Sequence, residues 1–261
     1  MIENENNRMR VTLLGTGTSQ GVPVIACKCD VCRSGDEKDK RLRSAIMVEE
    51  GSTRIVVDVG PDFRQQMLRH EVDDLDAVML THEHADHIFG LDDIRSFNWV
   101  RKGPMDVYCE QRVQDNLKAI FNYVFAEIKY PGTPQMDLID LENKAFKIGA
   151  IDVIPIRIYH HKLPVYGFRF GQFAYLTDFN LIEDQELEKL SGVDTLVICA
   201  LRKTSHISHL NLSGALRLIE KIAPRKAYLT HMSHEMGKHQ DLLEILPPNV
   251  EPGYDGLILD I

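Results

Sequence analysis

The sequence lacks any hydrophobic run of membrane-spanning length. Its longest largely apolar stretches, such as residues 77–80 and 195–201, are far shorter than the roughly 18 to 20 residues that a bilayer-spanning helix needs. The N-terminus MIENENNRMR is polar and lacks the basic and apolar regions of a secretory signal. These absences argue against membrane insertion and export, and they predict a soluble protein of the cytoplasm.

The chain also lacks an excess of positive charge. Its 30 Lys and Arg residues are outnumbered by 39 Asp and Glu residues, which gives a formal net charge of −9. Binding to long nucleic acids depends on clustered cations that replace counterions on phosphates, so this composition disfavours such partners. A local cation, and a bound metal above all, could still attract a small phosphate ester.

Low-complexity segments, internal repeats and long Pro, Gly or Ser linkers are absent as well. The nearest approach to a linker is the segment Lys129–Gln135, which we interpret as a surface loop. A chain of 261 residues with 44% hydrophobic content can bury a sizeable core. We therefore predict a single domain over residues 1–261.

Short β-branched and apolar runs recur along the chain and predict strands. They cover residues 10–14, 44–48, 54–58, 77–81, 105–109, 151–158, 166–170, 173–177, 195–200, 226–230 and 257–261. Helical spacing of apolar residues predicts helices over residues 62–69, 92–100, 111–125, 182–189 and 213–222. This order predicts an α/β fold with two sheets flanked by helices.

Four metal-binding side chains lie together in the run Thr81-His-Glu-His-Ala-Asp-His87, directly after a predicted strand. They are His82, His84, Asp86 and His87. Imidazole nitrogens and carboxylate oxygens suit Zn, Mn or Fe. In an open turn, His82 and His84 can face one ion while Asp86 and His87 face a neighbouring one. The run therefore predicts a dinuclear centre for metal-assisted hydrolysis.

The pattern His-x-His-x-Asp-His after a strand resembles the signature of the metallo-β-lactamase superfamily. The resemblance implies a four-layer αββα sandwich with the site at one edge of the two sheets. It also implies three further ligands, for which the candidates are Asp178, His231 and one of the pair His160 and His161. We select His161, because a short loop and a Gly-aromatic strand follow it.

The family arrangement then implies two ligand sets. One ion would be held by His82, His84 and His161, the second by Asp86, His87 and His231, and Asp178 would bridge the two ions. In this arrangement water activated by two divalent ions, Zn or Mn, is the expected nucleophile, and Asp86 is both a ligand and part of the catalytic group.

Five cysteines are present, and three of them, Cys27, Cys29 and Cys32, lie within six residues. An odd number and this clustering indicate metal ligation in a reducing compartment and not a disulfide framework. Structural zinc takes four ligands, so a fourth is expected elsewhere. His234, three residues after His231, is our candidate, with His239 and His206 as alternatives; Cys109 and Cys199 are interpreted as small core thiols.

The Gly-rich segment Leu14–Pro23 lacks the dinucleotide and Walker patterns. Together with the metal motif it resembles the opening of the phosphodiesterase branch of the superfamily, which includes ribonuclease Z and the phosphoribosyl cyclic phosphodiesterases. In that branch a histidine in the position of His209 reaches the substrate phosphate, where it stabilises charge or protonates the leaving oxygen. His206 competes for this role.

The set of Cys27, Cys29, Cys32 and His234 most resembles the phosphoribosyl cyclic phosphodiesterases, because ribonuclease Z usually lacks the cysteine triad and adds a Gly/Pro-rich arm. Here the corresponding region, residues 111–147, is predicted to be mostly helical and is not basic. The resemblance thus implies a hydrolase of a small, cyclic phosphodiester. The alternatives are an RNA-processing nuclease and a non-catalytic metal-binding scaffold. The sequence leaves the oligomeric state open, and a homodimer is one candidate assembly because such dimers are common among soluble enzymes.

Overall fold

The computed structural model describes residues 8–261, so most of the polar segment MIENENNRMR lies outside the described residues. Within that range fifteen strands are present: β1 Arg10–Gly15, β2 Ala45–Glu50, β3 Thr53–Val57, β4 Ala77–Met79, β5 Met105–Cys109, β6 Met136–Asp140, β7 Phe146–Ile148, β8 Ile151–His160, β9 Leu163–Phe170, β10 Phe173–Leu176, β11 Leu181–Ile182, β12 Thr195–Cys199, β13 Lys226–Thr230, β14 Val250–Pro252 and β15 Ile258–Asp260.

The helices of the same residues are mostly short: α1 Phe63–Arg69, α2 Ala85–Ile88, α3 Arg95–Arg101, α4 Gln111–Ile120, α5 Asn122–Phe125, α6 Asp184–Glu188, α7 Leu212–Ile222 and α8 His239–Ile245. None of these helices is long and apolar enough to cross a membrane.

The strands form two mixed sheets. The first has the order β15-β1-β2-β3-β4-β5-β6, and its strands from β3 to β6 are parallel. The second has the order β11-β8-β9-β10-β12-β13-β14, with β7 paired to β8, and its strands β10, β12, β13 and β14 are parallel to one another. Because parallel strands end at the same edge of a sheet, residues that follow several strands can meet there.

Strand alternation separates the core into three apolar layers. In β3, Ile55 and Val57 pack between the two sheets, whereas Val56 faces the helices that cover the first sheet. The outer face of the second sheet packs in the same way against α7, through Ala215 and Ile219. A residue period of two thus produces two sheets back to back with helices outside, and the predicted αββα sandwich is confirmed.

The prediction for residues 111–147 was wrong in part. Helices α4 and α5 are present, but β6 forms the edge of the first sheet and β7 pairs with β8. The sequence of β6, Met136-Asp-Leu-Ile-Asp140, shows only a weak alternation of apolar and polar residues, because β6 is an edge strand with partly exposed side chains. The region is therefore part of the sandwich. The prediction of a helix over residues 182–189 also begins too early, because residue 182 belongs to strand β11.

Candidate metal centre

Histidine and aspartate side chains from both sheets converge at one edge of the sandwich. Three overlapping groups offer ligand atoms that lie within 4.8 Å of one another: Asp86, His87, Asp178 and His231; His82, His84 and Asp178; and His160, Asp178 and His209. Asp178 belongs to all three groups, so its carboxylate lies within reach of every other side chain in them.

The histidine motif begins after β4 and ends in α2. His82 and His84 precede the helix, whereas Asp86 and His87 lie in it. Glycines allow the backbone beneath this turn to pack closely: a Cβ at Gly60 would lie 2.0 Å from the carbonyl oxygen of Asp86. Any larger residue at position 60 would therefore displace the ligand turn.

Asp58, directly after β3, orients two of the imidazoles. Its Oδ2 lies 2.7 Å from Nδ1 of His87, and its carboxylate accepts a hydrogen bond from the Thr81 hydroxyl at 3.0 Å. That hydroxyl in turn lies 2.9 Å from Nδ1 of His82. Because a carboxylate only accepts, Nδ1 of His87 carries a hydrogen, which reserves Nε2 as the nitrogen that a bound metal would take. This is the arrangement in which an outer carboxylate orients a metal-binding histidine.

Asp178 follows β10 and is buried among imidazoles. Its Oδ2 lies 3.1 Å from Nε2 of His87 and 3.6 Å from Nε2 of His82, and its Oδ1 lies 2.7 Å from Nδ1 of His231. The φ angles of Asp58, Asp178 and His231 are 67°, 53° and 54°, in the left-handed region that non-glycine residues rarely adopt. Such strain concentrates at functional sites, where the surrounding packing maintains it.

His231 follows β13 and is fixed by the N-terminal Gly-rich segment. Thr18 places its hydroxyl 3.2 Å from Nε2 of His231, and Ser44 places its hydroxyl 3.2 Å from Nδ1. Gly17 pairs with Met232 in a backbone bridge, and a Cβ at Gly17 would lie 2.8 Å from the Arg41 carbonyl oxygen. The glycines thus allow close packing that supports a ligand.

The choice between His160 and His161 is corrected by the structure. His160 ends β8, and its ring centroid lies 5.1 Å from that of His84 and 4.5 Å from that of His209. Its Nδ1 donates to the Ser208 carbonyl at 2.9 Å, which leaves Nε2 as the free acceptor. His161 occupies the turn to β9 with φ 58° and is exposed. The turn therefore directs His161 away from the centre.

His209 lies beside the centre and outside the motif. Its ring stacks 5.2 Å from that of His231, and its Nδ1 is buried without a hydrogen-bond partner in the described residues. Burial lowers the pKa of His209 to about 3, so the imidazole is neutral at pH 7. His206 is farther out, with its ring 5.0 Å from that of His209. Of the two competitors, His209 is the one grouped with Asp178 and His160.

The electrostatics of the centre suit divalent cations. Burial lowers the pKa of His82 well below its ordinary value, so the ring is neutral and can bind a metal. Burial would also lower the pKa of His87, but the carboxylates of Asp86, Asp58 and Asp178 raise it well above the ordinary range. Burial opposes ionisation of Asp178, yet His231 and His87 hold its pKa well below the usual range. The buried carboxylates thus favour a positive charge among these imidazoles, and this set of nitrogen and oxygen donors fits metal ions.

A second group contains the three clustered cysteines and His234. The Sγ atoms of Cys27, Cys29 and Cys32 lie 3.2, 3.4 and 3.5 Å from Nδ1 of His234. The alternatives are not part of this group: His239 packs against Tyr254, and His206 lies beside His209. Three sulfurs and one imidazole nitrogen at such distances fit the closed tetrahedral set of structural zinc.

The thiol pKa values agree with that fit. A hydrogen bond from the Cys32 backbone, followed by one to His234, lowers the pKa of Cys29 to about 6, whereas burial raises the pKa of Cys32 to about 11. The group therefore accommodates one thiolate easily and further thiolates only beside a cation. Cys109 and Cys199 are buried, and burial raises the pKa of each to about 12, in agreement with core thiols.

Comparison with known proteins gives the family. Residues 53–232 match the beta-lactamase superfamily domain. The crystal structure of a new diphosphatase from the PhnP family has a TM-score of 0.92 and 37% identity, with 97% of each chain covered. Zinc-bound PqqB from Methylobacterium extorquens has a TM-score of 0.76 at 18% identity, covering 97% of this chain and 100% of that one, which is a likeness of fold alone.

A curated relative, the octanoyltransferase of Porphyromonas gingivalis, is 44% identical over 252 residues, which are 95% of this chain and 51% of that protein. The chain thus spans about half of the length of this relative. The profile match and the PhnP family structure agree with the fold. The chain belongs to the metallo-β-lactamase superfamily and, within it, to the PhnP-like phosphodiesterase branch.

Proposed function

We propose that this protein is a metal-dependent phosphodiesterase that hydrolyses a small phosphodiester, a cyclic one in particular. The observation that carries the proposal is the position of Asp178. Its carboxylate contacts imidazoles of both predicted ligand sets, and the neutral ring of His209 lies in the same group of side chains. A shared carboxylate between two ligand sets suits two ions, and a nearby hydrogen-bond donor suits a phosphate oxygen.

We infer two ligand sets from these contacts. The His160 ring centroid lies 5.1 Å from that of His84, so His82, His84 and His160 would hold one ion. Asp86, His87 and His231 would hold the second, and Asp178, which is grouped with residues of both sets, would serve both. When bound, two divalent ions of Zn or Mn supply charge neutralisation and a lowered pKa of water at neutral pH. The choice between the metals is a matter of supply, because both accept nitrogen and oxygen ligands.

The residues of the chain itself have separate tasks. Asp58 and Thr81 keep the lone pairs of His87 and His82 directed at the centre. His209, neutral because of its lowered pKa, donates an N–H to a phosphate oxygen and so stabilises the charge of the transition state. In the overall reaction water breaks one P–O ester bond, the water oxygen stays on phosphorus, and the leaving oxygen takes a proton. The product is a phosphomonoester.

The cysteine group is proposed to hold a structural zinc ion. His234 lies two residues beyond Met232, which is bridged to Gly17, so an ion here would tie the segment of residues 27–32 to the wall of the centre. Three zinc-binding thiols have to stay reduced, which supports a reducing compartment such as the cytoplasm.

A small substrate is favoured over RNA and over an acyl group. The net charge of −9 opposes binding of a polyanion. Acyl transfer through a thiol would need a free reactive cysteine, but burial raises the pKa values of Cys109 and Cys199 to about 12. Cys29, with its pKa lowered to about 6, would be occupied as a zinc ligand in the group with Cys27, Cys32 and His234. We therefore infer that the activity named for the Porphyromonas gingivalis relative resides in the half that this chain does not match.

We treat residues 1–261 as one hydrolase domain, because the two sheets share a core and both contribute ligands. A homodimer stays a prediction, which a measurement of molecular mass in solution would test.

A substrate comparison tests the proposal. The metal-loaded protein is assayed with a ribose cyclic phosphate and with a short oligoribonucleotide at equal concentrations of phosphodiester. Turnover of the cyclic phosphate at a much higher kcat/KM supports the small-molecule assignment. Turnover of the oligonucleotide alone would establish the nuclease instead, and turnover of neither would favour a metal-binding scaffold.

A further inference from the structure

One arginine connects two segments that carry ligands of the same ion. Arg112 is the second residue of α4, and its Nη1 donates to the carboxylate of Glu83, the residue between His82 and His84. Its Nη2 donates to the carbonyl oxygen of Pro164 at 2.7 Å. One guanidinium group thus bonds to the motif turn of the first sheet and to β9 of the second.

Pro164 is close to the third ligand of that ion. In the hairpin of β8 and β9, Pro164 pairs with Tyr159, and the adjacent pair is His160 with Leu163. The sheets contact one another again at this place, because the Tyr166 amide donates to the Thr81 carbonyl at 3.2 Å. The Arg112 bonds therefore cross the gap between the ligands His82 and His84 and the ligand His160.

The chemistry of the contact explains why an arginine occupies this position. A guanidinium group presents several N–H donors in a rigid plane, so it can bond to a carboxylate and a carbonyl oxygen at once in a fixed geometry. The Glu83 side chain is 16% exposed, and its Oε2 is buried without a partner in the described residues. Without Arg112, this largely buried carboxylate would lose its ion pair. Glu110, 3.6 Å from Arg112, extends the network to Arg157.

We propose that Arg112 is a positioning residue that sets the separation between the pair His82 and His84 and the ligand His160. It acts through its bonds to Glu83 and Pro164, which hold the two segments at a fixed distance. The inference rests on the metal centre of the proposed function. Removing the arginine leaves every ligand in the chain but frees the two segments to move apart, so retention of one ion falls while the other ligand set is unchanged.

The test compares Arg112→Ala and Arg112→Lys with a matched control, Arg54→Ala. Arg54 also bonds to carboxylates and to a backbone carbonyl, those of Glu49, Asp73 and Asp74, and its side chain is 31% exposed against 30% for Arg112. Arg54 lies at the start of β3, at the opposite end from Asp58. The readouts are the rate at which a chelator removes Zn²⁺ from the loaded full-length protein and the visible absorption spectrum of the Co²⁺-loaded protein.

We expect Arg112→Ala to release one ion about 10-fold faster than the wild type, which is the lower range for losing an outer partner of a metal ligand. Arg112→Lys should give an intermediate rate, because an ammonium cannot reproduce both bonds in one plane. Arg54→Ala should keep the wild-type rate and cobalt spectrum. Equal rates for Arg112→Ala and Arg54→Ala would overturn the inference.

Two further variants separate the other outcomes. If Arg112→Ala does not fold, Glu83→Gln replaces the ion pair by a neutral hydrogen bond, and it should show faster release with a folded chain; wild-type release would then count against the proposal. Asp178→Ala should lose ions at the same centre. If the wild-type protein binds no ion beyond that of the cysteine group, the proposed metal centre fails, whereas metal retention that is insensitive to Arg112 refutes only the positioning role.

Discussion

The carboxylate of Asp58 contacts the imidazole of His87 with an Oδ2 to Nδ1 distance of 2.7 Å, and both side chains are fully buried. The Thr81 backbone amide and hydroxyl also donate to Asp58 Oδ1, at 2.9 and 3.0 Å. In Asp58→Asn, the amide oxygen would keep the hydrogen bonds from Thr81, so the amide NH₂ group would face Nδ1 of His87. A donor at that position forces the imidazole hydrogen from Nδ1 onto Nε2. We expect metal affinity and kcat to fall about 10- to 100-fold, as measured by metal titration and steady-state kinetics.

Asp255→Asn is the control for that prediction. Asp255 is another buried carboxylate that accepts hydrogen bonds, from Thr16 and Leu42, but it does not contact an imidazole of the centre. The control should alter stability and leave metal affinity near that of the wild type. An Asp58→Asn protein with wild-type metal affinity would remove Asp58 from the account.

Adjacent histidines provide a second test. His160→Ala should lower metal content and reduce activity at least about 100-fold, since losing a ligand should cost no less than losing its hydrogen-bond partner. His161→Ala, one residue away, removes an exposed side chain in the turn and should leave metal content and activity unchanged. Metal analysis and kinetics of the two proteins decide the assignment, and the reversed result would restore His161 as the ligand.

The cysteine group gives a prediction about stability. Cys29→Ser removes one of the four ligands, so the protein should lose about one zinc ion per chain and unfold about 5–10 °C lower, because binding to a structural site contributes folding free energy. Lys28→Ser, in the same exposed segment, should keep the zinc and the melting temperature. Retention of the zinc by Cys29→Ser would show that the thiol is not a ligand.

The pKa of His209 predicts the shape of the pH profile. Burial lowers this pKa from 6.5 to about 3, so the imidazole stays neutral throughout the range from pH 5 to 9. Native-state stability linked to this residue is therefore present above about pH 6.5 and declines as the pH falls toward 3. His209→Ala should lower kcat about 100- to 1,000-fold, as expected for a lost transition-state donor, without moving the acid limb of the profile. An acid limb that disappears in the variant would instead identify His209 as the titrating group.

How far the sequence predicted this structure depends on the kind of signal. The strands after which Asp178 and His231 follow were predicted from their apolar composition, and the structure brings both residues to one edge because parallel strands end together. The histidine motif could be recognised from the sequence alone, because four metal-binding side chains within six positions are rare. The meeting of strand ends at one edge also explains why the cysteine group lies beside His234, which is in the segment after β13.

Other features have no local signal in the sequence. His160 and His161 differ only in whether a residue ends β8 or begins the turn, and a boundary error of one residue reverses the side-chain direction. Asp58 resembles any aspartate at the end of a strand until the fold places His87 and Thr81 beside it. The bond of Arg112 to Glu83 spans 29 positions and depends on the packing of α4.

The central claim, a dinuclear hydrolytic centre around Asp178, is tested most directly by one paired measurement. Metal content and hydrolysis of bis(p-nitrophenyl) phosphate are determined in the same samples of the wild type and of Asp178→Asn. The account predicts about three ions per wild-type chain, one of them resistant to chelation. It also predicts turnover that Asp178→Asn lowers at least about 100-fold together with loss of the chelatable ions. Fewer than two ions in the wild type, or unchanged turnover by Asp178→Asn, would contradict it.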